Sequence, residues 1–204
     1  VRPAPARVVG LDYSLTSTGV ATTHPHKATL IRPRTKGHAR LEELKTSVTA
    51  LVRQARPALV VIESGSYAST SSTFHQLAGG WWLVAHEIYR LGVPYATVAP
   101  GTLKRYATGS GTADKDTMVA AARAAWPNVL VTNDDAADAL WLADMGSHYL
   151  GRPLTTSRAP DALEAVSWPR VGAKPATPSA KERAAARKKT GRTKTRTPRS
   201  RTRT

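Results

Sequence analysis

Apolar and polar positions alternate between two periods along the first 150 residues, and the periods name the elements. Residues 7–13 contain the apolar run Val8-Val9-Gly10-Leu11 before Asp12, short and β-branched, which predicts a buried strand. Residues 19–23 and 28–31 predict two more strands, separated by a His-Pro-His-Lys turn, so the chain should open as an antiparallel meander. Over 39–56 the apolar positions Leu41, Leu44, Val48, Leu51 and Val52 recur at helical spacing, and the helix should end before Pro57. Residues 59–63 predict a fourth strand, apolar until Glu63, followed by a Ser/Gly-rich loop over 64–72. A second helix is expected over 74–91 with Gly92 as its stop, then a fifth strand over 95–99 closed by Pro100. A short helix over 102–106 and a flexible turn at 109–111 come next. Thr112 or Asp114 should start a helix running to Trp126, and Asn133 is the expected N-cap of a last helix over 134–149. Three strands, then helix and strand in alternation, then helices, describe an α/β fold with a mixed five-stranded sheet flanked by helices.

Charge changes this picture at the C-terminal end. Residues 172–204 carry twelve Lys and Arg against one acid, Glu182, while the preceding 171 residues carry 18 against 13. The tail has no aromatic residue and little to bury, so it should be disordered when free. A solvated polycation of this kind associates with nucleic acid by releasing counterions, and Arg187, Lys188 and Lys189 are its densest cluster. Gly, Pro and Ser become frequent between Leu150 and Val171, so the expected organisation is one folded domain over 1–155, a linker over 156–171 and a basic tail over 172–204. Cysteine is absent, which excludes disulfides and thiolate metal sites. No apolar run has the length of a membrane span and no signal-peptide pattern precedes the first strand. A soluble cytoplasmic protein of a bacterium or a virus-infected cell is therefore expected, with no membrane partner.

The candidate chemistry lies in four carboxylates. Asp12 and Glu63 each close an apolar strand, and strand ends are where functional groups collect in α/β sheets. Asp135 and Asp138 are spaced i, i+3 on one helix face. Singly, each reads as a capping or surface acid. Together they occur where the apolar pattern points inward, and a buried carboxylate must be neutralised, paired or metal-bound. Phosphodiester hydrolysis fits, because two hard divalent cations held by oxygen ligands activate water and stabilise the leaving oxygen. Asp134 competes with Asp135, being i, i+4 from Asp138, whereas Asp144 should face elsewhere. The run from Asp12 through Ser14 to Gly19 also resembles the phosphate loop of actin- and sugar-kinase-like ATPases, although the body is short for two such domains.

Four ordered blocks resemble RuvC-type Holliday junction resolvases, a branch of the ribonuclease H-like superfamily. They are Val9-Gly10-Leu11-Asp12-Tyr13-Ser14-Leu15-Thr16-Ser17-Thr18-Gly19, then Val60-Val61-Ile62-Glu63, then Ala99-Pro100-Gly101-Thr102-Leu103-Lys104 with Gly109-Ser110-Gly111-Thr112-Ala113-Asp114-Lys115, and Asp135-Ala136-Ala137-Asp138-Ala139-Leu140. The resemblance implies a ribonuclease H-like sheet and a crossover junction endodeoxyribonuclease acting as a homodimer on branched DNA. It implies Mg²⁺ or Mn²⁺, two per site, on Asp12, Glu63, Asp135 and Asp138, with no small-molecule cofactor. Lys104 and Lys115 match family lysines of phosphate contact and catalysis, and Arg105 beside them joins the expected DNA contacts. Alone, each lysine reads as a solvated surface residue. The family often has an aromatic three residues after its second acid. Here that position is Ser66 and Tyr67 follows, a residue able to stack on a base. Cutting of flaps or forks, ribonuclease H activity, and a non-catalytic DNA-binding role through the tail are the alternatives. The aromatic run Gly79-Gly80-Trp81-Trp82 lies on the helix that the resemblance places at a dimer interface.

Overall fold

The computed structural model describes residues 6–65 and 73–171. Ten elements follow in chain order: β1 Val8–Asp12, β2 Thr18–Thr23, β3 His26–Ile31, α1 Gly37–Ala55, β4 Leu59–Glu63, α2 Phe74–Arg90, β5 Tyr95–Val98, α3 Pro100–Thr108, α4 Lys115–Ala125 and α5 Asp134–Tyr149. The sheet has five strands in the order β3-β2-β1-β4-β5. The first three strands pair antiparallel, and β1-β4 and β4-β5 pair parallel. The α/β class, the meander and the mixed sheet are as the sequence predicts.

Element ends follow local chemistry. Arg56 ends α1 in the left-handed region (φ 46°), its N–H donating to Val52 O, just before Pro57. Pro100 not only ends β5 but begins α3, where its missing N–H costs nothing. That helix therefore runs longer than predicted, to a left-handed Gly109. Asp114 caps α4 by accepting from Thr117 N at 2.8 Å, and Asn133 caps α5 by accepting from Ala136 N at 3.1 Å.

The strand period divides the core into two layers. Val9, Leu11, Val60 and Ile62 face α1 and α2, packing on Leu44, Val48, Val52, Val84 and Ile88. Val8, Leu59 and Val61 face α5 and share its core with Leu142 and Met145. The α5 layer is unusually close. A Cβ at Gly10 would stand 2.0 Å from Ala139 O, one at Gly19 2.0 Å from Asp135 O, and one at Gly146 2.7 Å from Val61 and Val8 side chains. Helix backbone thus rests on sheet backbone at Gly10 and Gly19, which only glycine permits.

The segment 156–171, expected as a linker, is packed onto the body. Pro160–Ala165 forms a 3₁₀ turn against α3, with Ala162 and Val166 buried. Asp161 pairs with Arg105 at 2.5 Å, and Trp168 stacks on Tyr149 with ring centroids 4.5 Å apart. Its Pro and Ser read as a linker, but its apolar residues fall where α3 and α5 need covering. No helix among the described residues is long and apolar enough to cross a membrane.

Candidate active site

The period-two rule fixes two of the acids. Val8 and Gly10 face α5, so Asp12 faces it too; Leu59 and Val61 face α5, so Glu63 does as well. Leu11 pairs in register with Ile62, so Asp12 and Glu63 leave the same edge of neighbouring parallel strands. The other two arrive through the glycine seam. Asp12 is the register partner of Gly19, and Gly19 lies under the carbonyl of Asp135. Asp138, one helical turn further on, meets the same edge.

The electrostatics record this convergence. Loss of water pushes the Asp12 carboxyl well above its usual range, and the charges of Glu63, Asp138 and Asp135 push it further. Glu63 is raised chiefly by burial, against the opposing pull of a hydrogen bond with Asp12 and of the Lys104 charge. Asp138 is pushed up to about 7 by burial, then by Glu63 and Asp134, with Lys104 opposing. Its Oδ1 is buried without any hydrogen-bond partner. Such an orphaned carboxylate oxygen among like charges calls for a cation or a proton.

Around the acids, positions are held from outside. Asn133 Nδ2 donates to Asp135 Oδ2 at 2.6 Å. Trp81 Nε1 donates to Glu63 O at 2.8 Å, tying α2 to the end of β4. Ser14 Oγ accepts from Thr16 N and Ser17 N, while Thr18 Oγ1 donates to Ser14 O at 2.8 Å, so hydroxyls hold the turn after Asp12. Lys115 Nζ lies 2.5 Å from Asp134 Oδ2. That bond raises the lysine and lowers Asp134. Asp134 is thereby separated in character from its neighbour: it is ion-paired at the rim, whereas Asp135 stands over Gly19. Lys104 acts electrostatically on both Glu63 and Asp138. Arg105 is turned to Asp161 instead. As the side chains stand, no three His, Cys, Asp or Glu groups among the described residues close around a common point. Tyr67, Arg187, Lys188 and Lys189 lie outside the described residues.

Some contributors were not legible beforehand. Asn133 is expected as a cap and proves to hold Asp135 as well. Trp81 is partly a core residue and partly the clamp on Glu63. Gly19, which on sequence resembles a phosphate-loop glycine, has a different reason to be glycine, since Asp135 O fills the space of a side chain. Asp144 faces away from the four acids, buried between Tyr106 OH (3.0 Å) and Leu154 N (2.7 Å).

Comparison with known proteins agrees with this construction. No family model matches the chain. Among characterised relatives, crossover junction endodeoxyribonuclease RuvC of Acidiphilium cryptum is 30% identical over 172 residues, 78% of this chain and 99% of the relative. The RuvC of Salinispora arenicola is 34% identical over 148 residues, 67% of this chain and 85% of the relative. The RuvC of Halorhodospira halophila is 29% identical over 74% of this chain and 95% of its own length. In structure, Thermus thermophilus RuvC superposes with a TM-score of 0.58 at 19% identity, over 74% of this chain and 99% of that one. The same protein in complex with a Holliday junction substrate gives 0.57 at 20% identity and equal coverage. A shared sheet, acids delivered from two strand ends and one helix, and relatives matched over most of their length together place this chain in the RuvC family of crossover junction endodeoxyribonucleases.

Proposed function

We propose that this protein resolves Holliday junctions by metal-dependent phosphodiester hydrolysis, cutting as a homodimer with Asp12, Glu63, Asp135 and Asp138 as its metal ligands. One observation carries the site assignment. Four carboxylates from β1, β4 and α5 lie at one sheet edge, where burial first and their mutual repulsion second raise the proton affinity of Asp12 and Asp138. The donor set is all oxygen and strongly acidic, with an orphaned Asp138 Oδ1, and it fits hard divalent cations such as Mg²⁺ or Mn²⁺, two per site. When bound, such ions supply an activated water and stabilise charge on the leaving oxygen. The chain's own residues do the rest. Partial burial of the carboxylates limits the water that competes for them, and it also raises their proton affinity, which a bound cation must overcome. Lys104 and Lys115 stand on the α3 and α4 side, where their charges counter the acids and meet an incoming phosphate. Asn133 keeps Asp135 aimed along α5.

The partner class follows the solved relative, whose complex contains a Holliday junction. Dimerisation is supported by the outer face of α2. There Trp82 is 64% exposed, Leu83 41% and Tyr89 67%, beside an open position at Gly79. Trp82 and Tyr89, seven residues apart on one stripe with Leu83 to its side, form the kind of exposed apolar surface that a self-complementary contact buries.

The direct test is cleavage of labelled four-way junctions, flaps, linear duplexes and RNA–DNA hybrids, with and without Mg²⁺ or Mn²⁺. Paired symmetric nicks in the junction alone, abolished by Asp12→Asn, are expected. Undiminished cutting by Asp12→Asn would overturn the site. Preferential cutting of flaps or hybrids would replace the substrate.

A further inference from the structure

The connection from β3 into α1 holds a concentration of positive charge that the four-acid site does not use. Between residues 32 and 40 stand Arg32, Arg34, Lys36 and Arg40, with no acid among them. Arg32, Arg34 and Lys36 are exposed. None of the four has a carboxylate at ion-pair distance among the described residues. Solvated arginines are common, so placement and rigidity decide whether these mean more.

Placement comes from the sheet register. Asp12 pairs with Gly19, Gly19 with Leu30, and Thr18 with Ile31. The C-terminal end of β3 therefore lies at the same sheet edge as the C-terminal end of β1. Arg32 is the next residue after that edge. Tyr13, the neighbour of Asp12, and Leu41, the neighbour of Arg40, both crowd Gly80 of α2. The loop thus flanks the acidic site on the β3 side, as Lys104 and Lys115 flank it from α3 and α4.

Rigidity comes from Glu43. Its carboxylate accepts from Arg34 N at 3.0 and 3.1 Å, from Thr35 N at 3.2 Å and from Thr35 Oγ1 at 2.6 Å. Arg40 Nε in turn donates to Thr35 O at 3.3 Å. Glu43 is thus engaged with the loop's own backbone and hydroxyl, and its neighbour Glu42 is paired with Lys45. Glu43 fixes the loop's course while the guanidinium groups of Arg32 and Arg34 face solvent. Charges held in place lose less entropy on meeting a polyanion than charges on a free segment.

We infer that Arg32, Arg34 and Lys36, on a loop pinned by Glu43, form a second phosphate-binding surface that grips a duplex arm of the DNA beside the scissile strand. This rests on the reading of the protein as a branched-DNA nuclease and extends it outward from the acids. Arginine and lysine here contact phosphate and carry no base information, so the surface adds affinity and orientation, not sequence choice.

The test is equilibrium binding of the full chain to a fluorescent four-way junction without divalent ions, over a series of salt concentrations. Arg32→Gln with Arg34→Gln should reduce the slope of log affinity against log salt by about 1–2, close to 0.9 for each phosphate no longer neutralised. The doubly conservative Arg32→Lys with Arg34→Lys should keep the slope. The charge-matched control, Arg53→Gln with Arg56→Gln at the far end of α1, should leave it unaltered. Equal reductions in the two Gln pairs would reduce the effect to net charge and overturn the inference. So would an unchanged slope in the first pair. Failure of the wild type to bind any branched DNA would instead overturn the nuclease reading, and this surface with it.

Discussion

Asp138 presents a buried oxygen to no donor while the charges of three acids and a lysine act on it. Such a site stores repulsion that the fold must absorb. Its folded-state pKa, near 7, lies above the unfolded value, so the folded protein holds the proton more tightly. Stability of the metal-free protein should therefore rise as pH falls from about 7 towards the ordinary carboxylate range, and Asp12, shifted in the same direction, adds to the trend. Thermal melting in EDTA across that window checks the sign; a flat profile would mean that the fold does not raise the proton affinity of these acids. Added Mg²⁺ should raise the melting temperature at neutral pH, because a ligand of the folded state alone stabilises it. Asp12→Asn should separate the two roles of the acid. Cleavage falls by more than about a hundredfold, while the metal-free variant melts higher by a few degrees, about 2–4 °C for each kcal/mol of relieved repulsion.

At the scale of elements, the site depends on how closely α5 lies on the sheet. Gly10 and Gly19 bring helix and strand backbones into contact, and Asp135 reaches the Asp12 edge only because of that approach. Gly19→Ala should push α5 outward. A loss of about 1–3 kcal/mol of stability is expected from overpacking, with a larger fractional loss of activity than Gly92→Ala gives, since Gly92 has open space around it. Denaturant unfolding alongside junction cleavage measures both. Gly92 is itself left-handed (φ +69°), so its substitution carries backbone strain without displacing α5. The segment 152–168 works at the same scale. Ser157 Oγ and Arg158 N both donate to Tyr106 O, and Arg105 pairs with Asp161, so this strap stiffens the helix that carries Lys104. Composition suggested a linker because Pro and Ser are counted there without knowing which surfaces need a cover.

Across the whole molecule, charge and apolar surface are segregated. The four candidate ligands share one sheet edge, Lys104 acts on two of them from α3, and α2 carries exposed Trp82 and Tyr89. Trp82→Glu with Tyr89→Glu should yield a monomer by light scattering and convert paired incisions into single nicks or none. A dimer that survives both substitutions would move the interface elsewhere. Truncation after Val171 removes twelve basic residues and one acid. It should weaken binding to all DNA forms and lower the salt dependence, while a preference for junctions over linear duplex, expected of the folded body, should persist.

Most of the fold was readable from the chain because its signals are local. Apolar period, Pro57 and Pro100 as stops, and Asp114 and Asn133 as caps act within a few residues. The parity of Asp12 with Gly10, and of Glu63 with Val61, was equally fixed by the strand period. Tertiary structure decided which strands pair in parallel, and hence that Asp12 and Glu63 leave the same edge. It also decided that α5 settles on glycine, that Asp134 goes to Lys115 while Asp135 goes to Asn133, and that Arg105 turns to Asp161. These depend on contacts between segments far apart in sequence, where several partners satisfy the same local pattern and only the packed chain selects among them.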